Sequence, residues 1–64
     1  MYKLYTDMLK RGIVFDNLEA AEERANVMIS NNNNGFRSIV IESDEFDGCL
    51  VAKESNNWEF EYQN

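Results

Sequence analysis

Polar and apolar positions change period twice along this chain. Between Phe15 and Ser30 the apolar residues Leu18, Ala21, Ala25, Met28 and Ile29 recur at the i, i+3, i+7 spacing that draws one stripe along a helix. Glu19, Glu22, Glu23 and Asn26 fall on the opposite side, and the acids crowd the first turns, where the helix dipole favours them. Asp16 is the expected N-cap, with Glu19 three residues on to close a capping box and Phe15 and Ala20 at staple spacing. On either side the pattern reads as strand. Tyr2, Leu4 and Thr6 alternate with Lys3 and Tyr5. Met8 to Gly12 then turns the chain, with a helical turn over Met8–Arg11 as the alternative, and Gly12 to Phe15 returns as a short strand.

After the helix, the run Asn31-Asn32-Asn33-Asn34-Gly35 predicts a C-cap and a polar linker, because Asn and Gly tolerate left-handed backbone. Phe36 to Glu42 is the best strand pattern, with Ile39 and Ile41 facing one way and Phe36 and Val40 the other. Ser43 to Gly48 predicts an acidic turn around Phe46, followed by a strand over Cys49–Glu54 and a turn at Ser55–Asn57. Trp58-Glu59-Phe60-Glu61-Tyr62 alternates aromatic and acid, which predicts a half-buried strand with three rings on one face. The expected architecture is a single α+β domain over residues 1–64. One helix packs on an antiparallel sheet of four to five strands in the order ββαβββ.

A chain of 64 residues builds a thin core, burying roughly 60% of its unfolded surface. The helix covers part of one sheet face. Tyr5, Phe36, Val40 and some of Trp58, Phe60 and Tyr62 are expected on the other, and an apolar face of that size calls for a homodimer or a protein partner.

Charge sharpens the picture. Residues 1–41 carry five acids and five bases, so the whole net charge of −6 belongs to residues 42–64. There Glu42, Asp44, Glu45, Asp47, Glu54, Glu59 and Glu61 face one base, Lys53. Direct nucleic-acid binding is disfavoured, because phosphate contacts need clustered Lys and Arg. No run approaches the ~20 apolar residues of a membrane span, and nothing near Met1 has the form of a signal peptide. With one cysteine and no histidine, a disulfide and a Cys/His zinc site within the chain are excluded. Cys49 reads as a small hydrophobe in a reducing, cytoplasmic setting.

Candidate chemistry is sparse. Counting Ser43 as position one, Asp47, Gly48, Leu50 and Glu54 match calcium-loop spacing. Ser43 replaces the usual first-position Asp, however, and the flanks read as strands, so an acidic β-turn is the better description. Cys49 has no histidine base, Glu59 and Glu61 have nothing to split their pKa values, and no Gly-rich phosphate loop exists. Enzyme activity and a cofactor are not expected.

The function expected is a non-enzymatic, acidic interaction module that inhibits or modulates a larger protein by docking on a basic, nucleic-acid-binding surface. Glu42, Asp44, Glu45, Asp47, Glu54, Glu59 and Glu61 would steer it, with Phe46 and Trp58 as anchors. Size and acidity give the chain a general look similar to small phage-encoded inhibitors of host enzymes, with no motif behind it. Strong DNA mimics are acidic along their whole length, whereas residues 1–41 are neutral. The alternative expectation is a homo-oligomer with a nucleotide or metabolite site at the subunit interface, its cations supplied by Lys3, Lys10, Arg11, Arg24 and Arg37.

Overall fold

A computed structural model describes residues 1–31 and 35–64. The described residues form five strands, an α-helix and a short 3₁₀ turn. In chain order these are β1 (Tyr2–Thr6), β2 (Ile13–Phe15), α1 (Leu18–Ser30), β3 (Ser38–Ser43), β4 (Cys49–Lys53), the 3₁₀ turn (Glu54–Asn56) and β5 (Glu61–Gln63). The strands make one antiparallel sheet in the order β2-β1-β3-β4-β5, and α1 connects β2 to β3. This is the α+β, ββαβββ architecture that the hydrophobic pattern predicts.

Register assigns the two faces. Ile13, Leu4, Ile41, Leu50 and Tyr62 form one row across the sheet, and Thr6, Ile39 and Ala52 the next row on the same side. Leu4, Ile39, Ile41 and Ala52 are fully buried there, together with Ala21 and Ala25 of α1. Two alanines at the contact let the helix lie close to the sheet. Leu18, Met28 and Ile29 complete the apolar stripe and pack against this core from its margin. Burying Leu4 or Ile39 contributes about 1.5–3 kcal/mol each, which is a large share of the stability of so small a chain.

The helix starts one residue later than the capping pattern suggests. Asn17, not Asp16, is the N-cap, and its side-chain oxygen accepts the Ala20 N–H at 2.8 Å. Glu19 is therefore too early for the capping box. At the other end the Asn31 N–H and Nδ2 both reach the Val27 carbonyl. The rest of the expected Asn-rich linker, 32–34, lies outside the described residues.

Two expectations about the aromatic residues need correction. Phe36 precedes β3 and is buried in the helix-side core, where Trp58 meets it edge-on. The last strand is also shorter and later than the alternation implies. Asn57 and Trp58 have φ of 56° and 60°, so the chain leaves the 3₁₀ turn through two left-handed residues and pairs only from Glu61. Trp58 and Phe60 still pack against the core, but from a loop.

The face away from the helix is consequently mixed. It carries the rows Val14-Lys3-Glu42-Cys49-Gln63 and Tyr5-Val40-Val51-Glu61. Phe36, Trp58 and Phe60 are absent from it, so the broad apolar face expected there does not form.

Candidate functional site at the acidic end of the sheet

Strand register gathers charge at the two ends of the sheet. At the end marked by Ser43, β1 begins at Tyr2, β2 finishes at Phe15, β4 begins at Cys49 and β5 finishes at Gln63. Asp16 lies in the β2–α1 link at this end, and Glu19, Glu22 and Glu23 fall in the half of α1 that follows. Asp44, Glu45 and Asp47 occupy the β3–β4 loop, with Glu42 one residue inside β3. The opposite end, marked by Ser38, holds Lys10 and Arg11 in the β1–β2 loop, Arg37 just before β3 and Lys53 at the close of β4. Asp7, Glu54 and Glu59 are the acids there. The fold thus gathers carboxylates without matching bases at the Ser43 end, and most of the cations, with three acids among them, at the other.

At the Ser43 end an open cleft of about 670 Å³ runs around the edge of the sheet, lined by Lys3, Val14, Glu42, Asp44, Phe46 and Asp47 among others. Its lining charges are the carboxylates of Glu42, Asp44 and Asp47 and the ammonium groups of Lys3 and the Met1 amino terminus. Phe46 shapes it by folding back over the sheet. Its ring lies 6.2 Å from that of Tyr2 and 6.1 Å from that of Tyr62, so it bridges β1 and β5. The Ser43 hydroxyl donates to the Met1 carbonyl at 2.8 Å and accepts the Glu45 N–H at 3.0 Å, fixing the first turn of the loop. Asp44 and Glu45 each lie within ion-pair distance of the Met1 ammonium, at 3.5 and 3.7 Å. All these carboxylates remain exposed.

Glu42 has a second engagement. Its carboxylate accepts the Tyr5 hydroxyl proton across the open face, and this hydrogen bond, with burial and the Glu42 charge, raises the phenol pKa to about 12. Lys3 sits directly opposite Glu42 in the sheet, its Nζ 6.0 Å from the Tyr5 ring centroid.

The nine residues expected to bind a partner therefore divide. Glu42, Asp44, Phe46 and Asp47 line the cleft, and Glu45 stands beside it in the same loop. Glu54 lies at the far end of β4, in the 3₁₀ turn. Glu59 precedes β5 and does not share a strand face with Glu61, whose carboxylate instead accepts the Asn56 side-chain N–H at 2.9 Å. Trp58 is half-buried against Phe36. Among the cations proposed for a ligand site, Lys10, Arg11 and Arg37 gather at the Ser38 end and Lys3 stands apart. Lys3 and Val14 were missed as cleft residues, because their placement depends on strand order.

Among the described residues no three His, Cys, Asp or Glu side chains gather where they could hold a metal ion. The Ser43–Glu54 span is a loop followed by the full length of β4, so its two end residues are carried apart. Cys49 is free and half-buried on the open face. No helix among the described residues is long and apolar enough to cross a membrane. No protein-family model, curated protein or solved structure matches this chain.

Proposed function

We propose that this protein is a non-enzymatic interaction module, an inhibitor or modulator that docks through its acidic end onto a basic surface of a larger protein. The observation that carries this reading is the charge partition. Three carboxylates line one cleft at the Ser43 end, while most lysines and arginines lie at the other end of the sheet.

Such a distribution makes the molecule an electrostatic dipole as well as a net anion. A basic partner is steered to the Ser43 end before contact, which raises the association rate more than the final affinity. The cleft is wide enough to admit a lysine or arginine side chain. Glu42, Asp44 and Asp47 accept its N–H groups, and the Phe46 ring provides an apolar wall for its stem. A basic surface covered in this way is closed to the nucleic acid or acidic segment that would otherwise occupy it.

The reading is tested by cross-linked capture from the source cells with wild-type protein and with the triple variant Asp44→Asn, Glu45→Gln, Asp47→Asn. Partners captured by wild type should be basic, released by moderate salt and lost with the variant. An identical set with both proteins contradicts the proposal.

A further inference from the structure

A second surface lies at the opposite end of the molecule. The β1–β2 loop and the second half of α1 form the two walls of a groove of about 660 Å³, with Phe36 lining it between them. Met8 and Leu9 stand on the loop side, and Arg24, Val27 and Met28 on the helix side. Met8 is 65% exposed and Val27 50%, among the most exposed large apolar residues described.

These side chains are held in place. Thr6 is 3% exposed, and its hydroxyl oxygen accepts the N–H groups of Met8 at 3.0 Å and Leu9 at 2.8 Å. The Thr6 and Leu9 backbones exchange two further hydrogen bonds, at 3.2 Å each. Asp7 Oδ1 then accepts the Arg37 N–H at 2.9 Å and the Ser38 N–H at 3.3 Å, tying the same loop to the start of β3. A loop so pinned offers its two apolar side chains at little further entropic cost. Met8 and Met28 add unbranched, polarisable chains that adapt to a guest.

Charge distinguishes the guest. The molecule carries −6 overall, yet Arg24 is the only charged side chain among the described residues that line the groove. No carboxylate lines it, and Arg24 makes no ion pair among the described residues. Asp7, on the same loop, is engaged by the Arg37 and Ser38 N–H groups. The groove is thus apolar with one guanidinium in its lining, on an otherwise acidic protein.

We infer that this groove docks a short amphipathic segment of a partner protein, one that presents apolar side chains next to a carboxylate. Its apolar residues lie on Phe36 between Met8 and Val27, and its carboxylate meets the Arg24 guanidinium. This surface is independent of the acidic cleft, since it lies at the other end of the sheet and uses none of the same residues.

The test is a titration of methyl- and amide-labelled protein, followed by nuclear magnetic resonance, with two capped peptides. One is acetyl-Asp-Leu-Leu-Phe-Asp-amide and the other its counterpart with both aspartates replaced by lysine. The acidic peptide should shift the methyl resonances of Met8, Val27 and Met28 and leave the amides of Glu42–Gly48 in place. Arg24→Gln should weaken that binding by roughly fivefold to tenfold, the scale of one charge-assisted contact. Val27→Asp, at an exposed helix position that leaves the core intact, should abolish it. Absence of methyl shifts at millimolar acidic peptide would overturn the inference, as would equal shifts by both peptides. Methyl shifts produced by diluting the protein alone would also overturn it, because a second copy would then occupy the groove.

Discussion

Trp58 meets Phe36 edge-on, with ring centroids 5.4 Å apart and planes inclined at 67°. The contact holds a bulky residue at φ 60°, a left-handed conformation that costs roughly 1–2 kcal/mol. Since Trp58 is the only tryptophan, its fluorescence reports directly on Phe36 and so on the core margin. Phe36→Ala removes both the ring contact and a buried side chain. It should cost about 3–5 kcal/mol and shift the Trp58 emission to the red. A shift without loss of stability in urea titrations would show that the ring pair is not part of the core.

Tyr5 and Glu42 link the open face to the cleft. The folded-state phenol pKa of about 12 lies above the ordinary value of 10, so the proton is held more tightly in the native state. The resulting stabilisation is full below pH ~10 and disappears as pH rises through about 12. Glu42→Gln removes the carboxylate charge and should return the Tyr5 transition toward 10. Ultraviolet absorbance of the phenolate, with Tyr5→Phe subtracted to assign the signal, checks this.

Asp7 works in the opposite direction. The Arg37 backbone N–H, first among its partners, holds its carboxyl below the ordinary 3.8, against an opposing effect of desolvation. Its stabilising contribution is present above the unfolded pKa and is lost as pH falls through the lower folded value. Asp7→Asn should therefore flatten the acid limb of a urea-midpoint-against-pH curve while leaving its neutral-to-alkaline shape unchanged. An unaltered acid limb would show that other carboxylates govern it.

Gly48 sits at φ 108°, where the chain enters β4, and a Cβ there would overlap the carbonyl oxygen of Gln63. Gly48→Ala forces β5 away from β4. The amides of Glu61–Gln63 should lose hydrogen-exchange protection, at a cost of about 1–3 kcal/mol for the backbone strain and lost pairing.

The helix and the first four strands were legible because their hydrophobic periods are strong. Tyr2, Leu4 and Thr6 face the core, Lys3 and Tyr5 do not, and the α1 stripe packs as its spacing implies. The N-cap slipped by one because Asp16 and Asn17 are adjacent acceptors of similar capping strength. The last strand slipped because period-two alternation carries no sign of backbone hand. The turn through Asn57 and Trp58 keeps the Trp58 and Phe60 rings on the core while removing them from the sheet. Phe36 was placed on the wrong face for a related reason, since it lies before the strand whose parity was applied to it. The charge imbalance in residues 42–64 was visible in the sequence. Its resolution into an acidic end and an end of mixed charge was not, because that depends on which strand ends the topology brings together.

The central claim, that the Ser43 end receives basic side chains, is tested most directly by titrating amide-labelled protein with a capped pentalysine peptide at low and moderate salt. Shifts should be confined to Glu42–Gly48 and their neighbour Lys3. Affinity should fall steeply with salt, and the triple variant Asp44→Asn, Glu45→Gln, Asp47→Asn should abolish binding where Glu54→Gln and Glu59→Gln leave it unchanged. Shifts spread equally over Glu54, Glu59 and Glu61, or undiminished binding by the triple variant, would contradict the account.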